Sequence, residues 1–82
     1  MLTIERASNF IFLLSKIKNQ ADLERIKKLI RKIIKNPEIG KPMRYVRKGT
    51  REVYAGSFRI SYAYIKEEAK LIFLDVYHKD KQ

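Results

Sequence analysis

The chain has 82 residues, no cysteine, and nineteen Lys and Arg against nine Asp and Glu, for a net charge of +10. That length makes one domain, 1–82, with a thin core, because a chain this short buries only about 60% of the surface its unfolded form exposes. Disulfides and thiolate metal sites are excluded by composition, and the longest apolar run near the start, Phe10 to Leu14, falls short of a signal peptide and of the roughly 20 apolar residues of a membrane span; a cytoplasmic protein is expected.

Leu2 to Arg6 alternates apolar and polar residues and reads as a short edge strand. A first helix is expected over residues 7–18, burying Phe10, Leu13, Leu14 and Ile17. A break at Asn19–Gln20 then turns the chain back. The second helix is the clearest element. Leu23, Ile26, Leu29, Ile30, Ile33 and Ile34 follow the i, i+3, i+4, i+7 spacing of an amphipathic helix, with Lys, Arg and Glu between them. Asn19 or Asp22 caps its start, Lys32 and Lys35 suit its last turn, and Pro37 ends it. A basic stretch without any acid follows: Lys41, Arg44, Arg47, Lys48 and Arg51. Residues 51–55, 58–66 and 70–77 alternate in polarity and are rich in Tyr, Ile, Val and Phe, the pattern of strands. Gly56-Ser57 suits a two-residue type II′ turn, and Lys66 to Lys70 is a longer polar hairpin loop. The sum is an α+β domain: an N-terminal helical hairpin packed on one face of a three- to four-stranded antiparallel sheet.

Strand parity assigns faces. Phe58, Ile60, Tyr62 and Tyr64 share one face, the natural partner of the helices. Arg59, Ser61, Ala63 and Ile65 share the other. A two-residue turn pairs Ala55 with Phe58, which sets Tyr54 beside Arg59 and Glu52 opposite Ser61. Arg59, Tyr54 and Glu52 thus form a polar cluster on the face the helices leave open; the alternative is a surface cross-strand cluster with no task. His78, the single histidine, stands among Tyr77, Lys79 and Lys81 at the end of the last strand, a place for a group working near neutral pH.

The basic field draws in nucleic acid, acidic protein or anionic membrane, and surface charge also solubilises a small protein. One histidine, no cysteine and scattered carboxylates have no ligand spacing for zinc or for a two-metal nuclease, and Gly40-Lys41-Pro42 lacks the phosphate-loop pattern. What remains is a metal-free, cofactor-free site that handles phosphate with Arg and Lys. Such a site can cut RNA, whose own 2′-hydroxyl is the nucleophile, if the protein supplies charge stabilisation and proton transfer.

At these residues the chain resembles a known family. "NPEIGKPMR" after a long basic helix, "REVYAGSFRISY" across a hairpin and "LIFLDVYHKDK" at the end are similar to the RelE/ParE toxin superfamily. The resemblance covers essentially the whole chain and is most specific over residues 36–81. It implies a RelE-like fold and a toxin of a type II toxin–antitoxin pair, with a small RelB-like antitoxin as partner. RelE-like members are metal-independent mRNA interferases that cut messenger RNA in the ribosomal A site; ParE-like members poison DNA gyrase instead. By position, the family's strand arginine falls on Arg59, the catalytic Tyr-His of the YoeB-like branch on Tyr77-His78, and a basic catalytic residue of RelE on Lys79. In the leading reading, an RNA endonuclease, Arg59 stabilises charge on the scissile phosphate, His78 leads proton transfer with Lys79 assisting, and Lys41, Arg44, Arg47, Lys48, Arg51, Tyr54 and Tyr77 hold RNA. Two departures stand out. The sequence reaches Gln82 without the C-terminal Tyr that RelE places in its site, and Met43 stands where YoeB-like enzymes carry a glutamate thought to act as base. Glu52 substitutes for that glutamate if the cross-strand geometry holds. A gyrase-directed toxin and a catalytically degenerate RNA-binding member are the alternatives.

Overall fold

The computed structural model describes residues 2–42 and 49–78. Its element order is β1 (Thr3–Arg6), α1 (Ser8–Ser15), α2 (Gln20–Lys35), β2 (Lys41–Pro42), β3 (Thr50–Ala55), β4 (Phe58–Ile65) and β5 (Lys70–His78). Each element follows from local chemistry. Asn19 caps α2, its side-chain oxygen accepting from the backbone N–H of Asp22 at 3.1 Å. α1 is shorter than its apolar pattern suggests: the amides of Lys16 and Ile17 turn back to the carbonyls of Leu13 and Leu14, a tightened last turn that closes the helix before the connection to α2. Gly56 takes a φ of 60° and Ser57 keeps a negative φ, as the first and second residues of a type II′ turn require. The Lys66–Lys70 loop contains one 3₁₀ turn, Lys66–Glu68, closed by Ala69 at a left-handed φ of 49°.

The sheet corrects the expected architecture in two ways. Among the described residues it has five strands in the order β1-β5-β4-β3-β2, and it is mixed, because β1 runs parallel to β5. Alternating polarity identifies a strand but neither its neighbour nor its direction. β1 leads straight into α1, which packs over β5, so the chain rises along β5 before folding back across it. The fifth strand, β2, is only Lys41–Pro42, too short for any alternation to show.

The helices cover one face. Phe10, Ile26, Ile33, Val53, Ile60, Tyr62, Leu71, Phe73 and Val76 form the buried core, with Phe10 and Tyr62 flanking Phe73 at ring distances of 5.2 and 6.4 Å. The expected parity of β4 holds: Ile60 and Tyr62 are buried, and Phe58 and Tyr64 pack against the same core. The β3–β4 register is also as expected, with Ala55 opposite Phe58, Tyr54 opposite Arg59 and Glu52 opposite Ser61. In the β4–β5 pair the register slips by one residue between Ser61 and Tyr62: Tyr62 faces Phe73, but Ser61 faces Asp75. This bulge, with Leu74 as the extra residue, turns Val76 into the core and Tyr77 out of it. Among the described residues no helix is long and apolar enough to cross a membrane.

Candidate functional site

On the face the helices leave uncovered, four side chains from three strands converge. Tyr54 on β3, Arg59 on β4 and Tyr77 on β5 lie in one cross-strand row, and Glu52 lies one row along. The Arg59 guanidinium sits over the Tyr54 ring at 5.0 Å, a cation–π contact that leaves its N–H groups for other partners. The Tyr77 hydroxyl reaches diagonally across β4 and donates to Glu52 Oε2 at 2.7 Å. Burial pushes the Tyr77 phenol above its ordinary value, and the accepting carboxylate and negative charge of Glu52 push it further; a hydrogen bond and positive charge from Arg59 oppose them. Tyr77 is therefore a protonated donor at neutral pH, Glu52 its acceptor, and Arg59 a cation beside Tyr77. Lys41 on β2 stands opposite Glu52 and extends the same face toward the sheet edge. Together these groups offer charge stabilisation for an anion and a carboxylate oriented by a tyrosine.

The other sequence-derived candidates are placed differently. Arg51 pairs with Tyr62 and so belongs to the helix-facing side, away from Arg59. Its guanidinium donates to the carbonyls of Glu38 and Gly40 at 3.0 and 2.8 Å, which ties the loop before β2 to the sheet; this corrects its expected place among the RNA-facing cations. His78 pairs with Phe58, and the two rings meet edge to face at 5.2 Å. It lines a cleft of about 520 Å³ beneath the α1–α2 connection, on the opposite side of the sheet from Arg59. The expectation that His78 and Arg59 work on one phosphate is not met by this arrangement, and the β5 bulge is the cause: straight counting from the β4–β5 loop would put residue 78, not 77, on the face of Arg59. Arg44, Arg47, Lys48 and Lys79 lie outside the described residues. Strand alternation does not reveal the hydrogen bond that joins Tyr77 to Glu52. Val76 offered a signal, since an apolar residue between Asp75 and Tyr77 points inward only if the register slips.

A family model described as the ParE toxin of the type II toxin–antitoxin system parDE matches residues 3–82. No curated protein matches the sequence. Among solved structures, the toxin–antitoxin complex RelBE2 from Mycobacterium tuberculosis superimposes with a TM-score of 0.80 at 23% identity, covering 94% of this chain and 96% of that one. The intact RelBE toxin–antitoxin complex of E. coli gives 0.79 at 17% identity, covering 95% and 96%. A YoeB/ParE toxin from Agrobacterium tumefaciens gives 0.80 at 14% identity, covering 94% and 98%. At these identities the structures establish the shared α+β fold.

Proposed function

The chain belongs to the ParE toxin family of type II toxin–antitoxin systems, within the RelE/ParE superfamily, and from that premise we propose that this toxin is a metal-independent endoribonuclease that cuts messenger RNA in the ribosomal A site. The observation that carries the reading is the convergence of Arg59, Glu52, Tyr77 and Tyr54 on the uncovered face of the sheet. In this reading the Glu52 carboxylate takes the proton of the RNA 2′-hydroxyl, held in place by the Tyr77 hydroxyl. The 2′-oxygen forms a bond to phosphorus and the bond to the 5′-oxygen breaks, leaving a 2′,3′-cyclic phosphate. Arg59 stabilises the charge that builds on the non-bridging oxygens. The departing 5′-oxygen takes its proton from Lys79, the residue that the resemblance makes basic and catalytic. Tyr54 holds the guanidinium and offers a face on which a base can stack. A small antitoxin protein is the partner that keeps the toxin in check, a role supported by the complexes of similar fold in which RelB accompanies RelE.

The test is primer extension on a message translated by purified ribosomes. Arg59→Ala and Glu52→Gln are each expected to cut at least about 10²-fold more slowly, the usual cost of losing an oxyanion donor or a general base. His78→Ala is expected to change cutting by less than about threefold, well below the ~10²-fold of a proton-transfer group. Arg59→Ala cutting as fast as the unaltered toxin would sink the assignment.

The description of the matching family favours a second reading, in which the toxin inhibits DNA gyrase without cutting RNA. It predicts intact messages, stalled replication in expressing cells, and loss of supercoiling by purified gyrase.

A further inference from the structure

The nine basic residues before residue 41 are not used by the Arg59 site, and part of them line a groove. Arg25, Lys28, Leu29 and Lys32 fall at i, i+3, i+4 and i+7 and so share one face of α2, spanning about 10 Å along its axis. That face borders a cleft of about 260 Å³ whose other wall is Ala55 and Gly56 at the β3–β4 turn. A second cleft of about 280 Å³ shares Leu29 and Lys32 and continues past Ile39 and Lys41 to Glu52 and Tyr54. The two make one groove along the edge of β3, where, among the described residues, β2 pairs only with Arg51 and Glu52. Its floor is apolar and its rim is cationic. Among the described residues, the carboxylates that line it or pair with its lining are Asp22, in a partly exposed ion pair with Arg25 at 3.7 Å, and Glu52 at the far end, already accepting from Tyr77. Such exposed pairs contribute only about 0–1 kcal/mol, so Arg25 remains available to a phosphate. Tyr54, half exposed, belongs both to the groove and to the Arg59 cluster.

We propose that this groove is a second binding track for single-stranded RNA, in which Arg25, Lys28 and Lys32 hold phosphates and Lys41 and Tyr54 pass the strand round the sheet edge to Arg59. The track rests on reading this chain as an RNA-cutting toxin. An apolar floor between a line of cations and an aromatic platform is the chemistry that takes a single strand by its backbone and its base faces.

The same helix supplies its own control. Lys27, Arg31 and Lys35 are exposed on α2, line neither cleft, and carry the same charge. Two triple variants should be compared: Arg25→Gln with Lys28→Gln and Lys32→Gln, and Lys27→Gln with Arg31→Gln and Lys35→Gln. The probe is a fluorescent single-stranded RNA made uncleavable by 2′-O-methyl groups, its binding read by anisotropy across a salt series. The groove variant is expected to bind about tenfold more weakly or worse, with a log–log salt slope shallower by about 2, at roughly 0.7 for each phosphate that is no longer neutralised; the control variant should move affinity by less than about threefold. Equal weakening by both variants, no weakening by the groove variant, or no binding of RNA by the unaltered toxin would overturn the track. So would a groove variant that keeps RNA but loses binding to a poly-glutamate peptide, since the groove would then take acidic protein. Ribosomal cutting separates the two readings. If Arg59→Ala abolishes cutting while the groove variant binds RNA normally, the track fails and the nuclease stands; the reverse pattern keeps the track and removes the nuclease.

Discussion

Tyr62 is fully buried at the centre of the core, yet it carries a hydroxyl that burial would penalise unless it were bonded on both sides. It is: the hydroxyl donates to the Pro37 carbonyl at 2.7 Å and accepts the Gly40 amide at 2.9 Å. Burial raises its pKa, while the Gly40 amide and Arg51 pull the other way. A Cβ on Gly40 would lie 2.7 Å from that hydroxyl and 3.1 Å from the Glu52 carbonyl, so the close approach needs glycine. Tyr62→Phe preserves the ring and strands two polar backbone groups, which is expected to cost about 1–3 kcal/mol in urea unfolding. The cluster of Arg59, Tyr54 and Glu52 is legible in the sequence, because two-residue turn chemistry dictates the β3–β4 register. The Tyr77–Glu52 bond and the commitment of Arg51 to main-chain carbonyls are not legible there. Both depend on where long side chains reach across neighbouring strands, which alternation does not encode.

Among the elements, α2 was the most legible, its apolar stripe, cap and terminating proline all pointing to one helix. Its cap is a separable contribution: Asn19→Ala removes the acceptor for the Asp22 amide and is expected to lower unfolding free energy by about 1 kcal/mol, measurable in the same urea titration. β5 was legible as a strand but not in its facing. One extra residue reverses the parity of every position beyond it, so the bulge decides that Tyr77, rather than His78, stands beside Arg59. β2 was invisible, because two residues have no period.

For the molecule as a whole, the tyrosines set an alkaline limit. Tyr62 and Tyr77 both have folded pKa values raised above the ordinary 10.0. The unfolded chain therefore releases these protons first, and it binds fewer protons than the folded one above that pH. Stability from this source is complete below about pH 10 and falls as pH rises from there through the folded values. Thermal melts between pH 8 and pH 11 should show a falling midpoint that Tyr62→Phe flattens; an unchanged slope in that variant would remove Tyr62 as the cause. Periodicity, turn residues and charge are local properties of a chain, and they carry the α+β class, the helical hairpin, the face of Arg59 and the strongly basic character. Only packing in three dimensions sets β1 parallel to β5, commits Arg51 to the carbonyls before β2, turns His78 toward the helices, and brings the cations of α2 to the edge of β3. Each of these is a relation between segments distant in sequence, set by packing and by one register slip, and no local pattern carries it.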